Sequence, residues 1–160
     1  GLRDGIQPVV SGKRALSLAA RENLTLAATE LFGAFFDTTY AYRFGPPSHD
    51  VTVAKLRNRK SGLLLADTYH FPNGRKAAQH AARLSATPVQ HGERWFVQVT
   101  TDRFAQSVHI SADGFRPADD WFHLMAGEER QIELVPVGLS LVEKPQGEIR
   151  ALGSSHVFRF

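Results

Sequence analysis

The chain has 160 residues, 42% hydrophobic and 22% charged, with 19 basic and 16 acidic side chains and a net charge of +3. That is room for one ordinary domain or two small ones with a buried core, and it excludes a disordered tail. With no cysteine in the chain, structural disulfides, thiolate zinc sites and a cysteine nucleophile are excluded together.

The densest basic cluster, Arg57, Arg59 and Lys60, sits beside a turn-like Ser61-Gly62. It is too short for the stripe that marks a nucleic-acid binder, so no nucleic-acid partner is expected. No apolar run approaches the ~18 residues of a membrane span, so no membrane partner is expected either. The opening GLRDGIQPVV lacks the apolar stretch of a signal peptide. It also lacks an initiator methionine, and Met125 is the single Met, so the chain is expected to be a piece of a longer protein.

In chain order, Leu16 and Leu18 alternate with Ala15, Ser17 and Ala19, and Leu24 and Leu26 continue the pattern, which predicts strand. AATELFGAFF (27–36) and KAAQHAARL (76–84) are rich in helix formers. Both remain open between helix, strand and loop, with strand or loop favoured for most of each. HDVTVAKL (49–56) and GLLLADTYHF (62–71) read as strands. Trp95, Val97 and Val99 alternate with Phe96, Gln98 and Thr100; Val108 and Ile110 with Ser107 and His109; Ile132 and Leu134 with Gln131 and Glu133. At the end, Val157 and Arg159 share one face and His156, Phe158 and Phe160 the other. Turn signals punctuate these runs at Gly45-Pro46-Pro47, Pro72-Asn73-Gly74, Asp113-Gly114, Ala126-Gly127-Glu128 and Pro145-Gln146-Gly147.

Short strands with this punctuation predict an all-β chain, an antiparallel sandwich or barrel rather than a βαβ fold. The boundary falls in FPNGRKAAQHA (71–81), giving a domain over 1–76 and another over 77–160. An immunoglobulin-like antiparallel β-sandwich needs roughly 100 residues for seven strands, so if both domains have that fold the first is expected to be truncated at its N-terminus.

Candidate chemistry begins with RFGPPSHD (43–50), where Ser48, His49 and Asp50 invite comparison with a catalytic triad. In an extended segment neighbouring side chains point to opposite faces. Three consecutive residues are therefore not expected to form that relay, and the Pro-Pro step reads as a stiff corner. The histidines at 49, 70, 80, 91, 109, 123 and 156 show no metal-ligand spacing, although His109 and His123 could be neighbours on adjacent strands. No metal and no cofactor are expected. Glycoside hydrolysis needs two carboxyl groups about 5–9.5 Å apart. The adjacent pairs Asp119-Asp120 and Glu128-Glu129 instead read as turn residues, and no catalytic residue is assigned. Carbohydrate contact falls to the aromatics: Trp95, and in WFHL (121–124) the face shared by Trp121 and His123. Packing in a core or between domains is the favoured role for the aromatics of this stretch, ahead of sugar contact.

Two stretches carry a resemblance. FFDTTYAYRFGPPSHDVTVAKL (35–56), continuing to YHFPNGR (69–75), and TTDRFAQSVHISADGFRPADDWFHLMAGEERQIEL (100–134) resemble the C-terminal immunoglobulin-like portion of β-mannosidases of glycoside hydrolase family 2. In the second, the family pattern A-x-x-V-x-I followed by D-[DN]-x-F-x-L-x-x-G-E falls on Ala105, Val108, Ile110, Asp119, Asp120, Phe122, Leu124, Gly127 and Glu128. Asp120 stands where many relatives have Asn, and Ala126 where Pro is common. The resemblance implies a parent that is a retaining exo-glycosidase removing terminal β-D-mannose. Its catalytic glutamates lie on an upstream (β/α)₈ barrel that this chain cannot build. The implied partners are that barrel, on the same polypeptide, and a mannose-containing oligosaccharide. The chain alone is expected to be inactive, supporting the barrel and shaping its cleft. The alternatives are a carbohydrate-binding module, or the same portion of a related exo-β-glucosaminidase.

Overall fold

A computed structural model describes residues 1–138 and 144–160. The chain is all-β and antiparallel, with two short helices among the described residues, and it divides into compact units at Gly1–Ala78 and Gln79–Phe160.

In the first unit, β1 (Leu2–Arg3) and β2 (Gln7–Pro8) form a minimal hairpin around Asp4 and Gly5, both at positive φ. Leu2 also bridges Val51, donating its N–H to the Val51 carbonyl at 2.8 Å and accepting from Asp50 at 2.9 Å. Residues 9–27 form no strand, contrary to the Leu16–Leu26 alternation, and Leu16, Leu18 and Leu24 are exposed. Period two creates a strand only where a neighbour supplies the ladder, and none lies alongside this segment. Within 27–36 the helix formers prevail for one turn, α1 (Ala28–Phe32). Gly33 ends it at φ 69°, returning its N–H to the Thr29 carbonyl at 2.9 Å. The second sheet pairs β3 (Thr52–Arg57) with β4 (Leu64–His70), inside the two stretches read as strands. A single turn, α2 (Gly74–Ala77), follows the Pro-Asn-Gly signal. The buried hydrophobic residues of this unit are small: Ala41, Val51 and Ala78.

Among the described residues, the second unit is built on one antiparallel sheet of eight strands. They are β5 (Leu84–His91), β6 (Arg94–Thr101), β7 (Ala105–Ala112), β8 (Phe115–Pro117), β9 (Phe122–Leu124), β10 (Glu129–Pro136), β11 (Gly147–Leu152) and β12 (Phe158–Arg159). The order runs β12-β11-β7-β8-β10-β6-β5, with β9 laid separately against β7. The sheet curls until β5 approaches β11 and β12, and Ser154 Oγ reaches the Ala82 carbonyl at 3.3 Å. Pro88 fits this arrangement. Having no N–H to donate, it occupies an end strand that pairs with β6 alone. Gly92, at φ 62°, takes the first central position of the two-residue β5–β6 turn, where the hairpin twist favours glycine.

The alternation read from the sequence is the alternation of burial. Val97 and Val99 on β6, Val108 and Ile110 on β7, Ile132 and Leu134 on β10, and Ile149 and Ala151 on β11 point into one core. Phe122 and Leu124 join them from β9, and Trp95, Phe158 and Phe160 close its margins. At Gly147 three strands crowd together. A Cβ there would lie 2.2 Å from the Ser111 carbonyl oxygen and 2.9 Å from the Phe160 ring.

Both tryptophans belong to this second unit, so tryptophan fluorescence during urea unfolding reports on it alone. Leu134→Ala is expected to cost about 2–5 kcal/mol by that readout, because the residue is buried and its neighbours are held by the sheet. Gly147→Ala should also destabilise, through a backbone clash that no rotamer relieves. Leu65→Ala, at an exposed site of β4, should stay within about 0.5 kcal/mol on a probe of the first unit.

An isolated two-stranded sheet is marginal in water. Amides of β3 and β4 should therefore exchange with deuterium well before those of β6, β7 and β10. Equal protection in the two sets would show that the first unit has a core larger than its buried residues indicate.

Candidate functional site

The segment DDWFHL (119–124) crosses β7 where that strand carries a bulge. Ala105 pairs with Leu124 and Val108 with Phe122, so three steps on β7 match two on β9. On its other side β7 shows the same surplus, with Gln106 opposite Leu152 and His109 opposite Arg150. Ser107 occupies the bulge at φ 48°, a left-handed conformation that L-residues rarely adopt. The extra residue takes its N–H out of the ladder, and His123 Nδ1 accepts it at 2.9 Å. His123 turns the edge of its ring toward the buried Phe104.

Three residues away on β7 a second side chain completes the junction. Asp120 Oδ1 accepts the N–H groups of Ile110 and Trp121, each at 2.9 Å. Its other oxygen lies 2.8 Å from His109 Nδ1. Asp119 pairs with the Arg130 guanidinium, which in turn lies over the Phe122 ring at 4.6 Å. These aspartates hold strands together, and Glu129 is likewise engaged, accepting from the Gln98 side-chain amide.

Between the two aspartates and β9 stands Trp121. Its φ is 60°, and it is 59% exposed. The indole lies parallel to the His109 ring, 4.5 Å away and 15° off coplanar. One face of the indole is thus backed and the other is open.

Of the residues singled out from the sequence for sugar contact, Trp121 is the exposed ring. His123 is half-buried beside it in sequence but committed to the bulge. Trp95 packs at the margin of the core, its Nε1 buried and without a hydrogen-bond partner among the described residues. His109, considered in the sequence only as a possible neighbour of His123, is the actual partner of Trp121. The signal for it was its position on β7, one residue before the Ile110 whose N–H Asp120 accepts.

The corner at 43–50 corrects one expectation. Ser48 Oγ does lie 2.8 Å from His49 Nδ1, although the two are consecutive. Residues 44–50 run through bends rather than a strand, so the side chains do not alternate. The relay does not continue to Asp50. His49 Nε2 meets Thr52 Oγ1 at 2.8 Å instead, and that hydroxyl reaches the Thr38 carbonyl at 3.3 Å. Ser48 Oγ likewise reaches the Ala41 carbonyl at 3.3 Å, and Asn73 Nδ2 donates to the His49 carbonyl at 3.2 Å. A triad base needs a carboxylate on its second nitrogen and access to substrate. His49 has a threonine there, is 1% exposed, and lies against Phe36. It ties the segments around residues 38–41, 48–52 and 73 together. A groove of about 290 Å³ opens beside it, lined by Arg3, Asp4, Arg43, Asp50 and Asn73 among others. Among the described residues no group of three or more potential ligands is placed to hold a metal.

No protein-family model and no curated protein matches this chain.

Burial lowers the pKa of His49 below its ordinary value and so keeps the ring neutral in the fold. In the unfolded chain it titrates at about 6.5. Below that pH the unfolded state binds the extra proton and the folded state does not. Stability from this source is therefore complete above about pH 6.5 and is lost as pH falls toward the depressed folded value. Protection factors of β3 amides, measured from pH 7.5 downward, should decline through this window. They should decline less steeply in His49→Gln, a variant that lacks the titrating group.

Proposed function

We propose that this chain is the non-catalytic C-terminal β-sandwich portion of a β-mannosidase-like glycoside hydrolase of family 2. In this reading it supports the catalytic barrel of the same polypeptide and helps shape the cleft in which terminal β-D-mannose is removed. The observation that carries the reading is the fate of the motif behind the resemblance. Ala105, Val108, Ile110, Phe122 and Leu124 are buried core residues of the second unit. Asp119 and Asp120 fasten strands, and Gly127 adopts φ 73° in the turn before β10, where Glu128 donates its N–H to the Met125 carbonyl at 3.1 Å. These positions serve packing, strand fastening and turn geometry, which supports reading the motif as part of a scaffold.

The parent's chemistry would then rest on two carboxyl groups outside this chain, one acting as nucleophile and the other as acid and base. Purified alone, the chain is expected to release no nitrophenol from nitrophenyl β-mannoside, whereas the full reading frame is expected to turn it over. Deleting residues 79–160 from that full protein should lower its thermal midpoint and its activity together. Turnover by the isolated chain would overturn the proposal, as would an upstream reading frame with no barrel.

A further inference from the structure

An exposed tryptophan is unremarkable by itself, since apolar side chains contribute much of any protein surface. Trp121 differs because the fold spends conformational energy on placing it. A bulky residue at φ 60° is an outlier that persists only where its surroundings over-determine it. Here they do. Asp120 takes the Trp121 N–H, the same carboxylate holds the His109 imidazole, and that imidazole lies flat beneath the indole. The peptide, the carboxylate and the supporting ring form one closed set of contacts, so the open face of the indole is presented in a fixed attitude. Pre-organisation of this sort lowers the ordering cost of binding a ligand.

The shape of the platform selects the ligand class. His109 stacks parallel and covers one indole face, leaving a single flat surface rather than the box of several faces that encloses an organic cation. The nearest acidic groups are Asp119 and Asp120, engaged with Arg130 and His109, and they oppose a phosphate-bearing ligand. What remains complementary is a neutral ring with an apolar C–H face and a rim of hydroxyls. The C–H face would cover the open face of the indole, while the hydroxyl rim stays solvated around its edge. We propose that Trp121, backed by His109 and oriented by Asp120, is a non-catalytic binding platform for a pyranose ring of an oligosaccharide. The inference stands on this geometry and holds whether or not the parent is a glycosidase.

The experiment follows the two indole N–H signals by NMR while mannotriose, cellotriose or choline is added to the intact chain. Trp95, packed at the core margin, serves as the internal reference. Either oligosaccharide is expected to move the Trp121 signal in a saturable way at millimolar concentration, leaving Trp95 still; mannotriose over cellotriose would add the sugar preference. Trp121→Ala should weaken binding about tenfold or more, the loss of one stacking surface, with the β-sheet amide spectrum retained. His109→Phe, which keeps a flat ring underneath, should bind more tightly than His109→Ala. A still Trp121 signal with both sugars would overturn the proposal. So would a response to choline alone, or undiminished sugar binding by Trp121→Ala.

Discussion

The bulge in β7 is the constraint around which the second unit is organised. An extra residue in a strand flanked by β9 and β11 leaves a backbone donor with no ladder partner. Such a donor costs free energy on the scale of a lost hydrogen bond when it is buried. The sequence answers with two side chains from the crossing segment. His123 accepts from Ser107 at the bulge, and Asp120 accepts from Ile110 three residues later. With those bonds made, Val108 and Ile110 can face the core together with Phe122 and Leu124 although the register has slipped by one residue. Without them, restoring the ladder would rotate one half of β7 and carry its apolar side chains out of the core.

The first unit meets the same requirement with fewer means. Its buried hydrophobic residues are Ala41, Val51 and Ala78. A buried histidine side chain links neighbouring segments of its loops. His49 bonds to hydroxyls on both ring nitrogens, each of which also approaches a backbone carbonyl. A neutral ring offers one donor and one acceptor, so one of the two hydroxyls must turn its proton from its carbonyl to the imidazole. Asp37 performs a comparable local task, accepting the N–H groups of Thr39, Tyr40 and Tyr42, and these bonds lower its pKa. Polar side chains therefore hold this unit's loops, while Phe35, Tyr40, Tyr42 and Phe44 remain exposed on them.

How far the sequence could be read follows from this difference. Where a residue's neighbour is set by period two, as along β6, β7 and β10, alternation was enough to separate core from surface. It failed for Leu16–Leu26, because a pattern cannot supply the strand that would pair with it. At Ser48-His49-Asp50 it was the assumed extended backbone that failed. Alternating faces were the right consequence of an extended backbone, but the Pro-Pro corner bends the chain and brings Ser48 against His49. At 119–124 the two faces of β9 were legible, Phe122 with Leu124 on one and His123 on the other, but not which of them turns inward. Legible, too, was the possibility of contact between strands carrying His109 and His123. The bulge was not, since Ser107 has no side-chain feature that marks a left-handed backbone, and so the separate tasks of the two histidines were hidden.

Two non-glycine residues in the left-handed region, Ser107 and Trp121, belong to the same junction, but their strain has different explanations. At Ser107 the conformation is the geometric consequence of fitting an extra residue into a ladder, and a buried serine with its N–H satisfied needs no further cause. Trp121 lies just before β9, outside the ladder, where glycine or asparagine would adopt the same φ at lower cost. Replacing the indole by hydrogen would leave Asp120 its backbone acceptor role toward Ile110 and Trp121. The fastening of β7 thus requires the backbone conformation at position 121 but not the tryptophan. A residue whose side chain the fold positions, strains and leaves open, without depending on it for strand pairing, is what the proposed pyranose platform would explain.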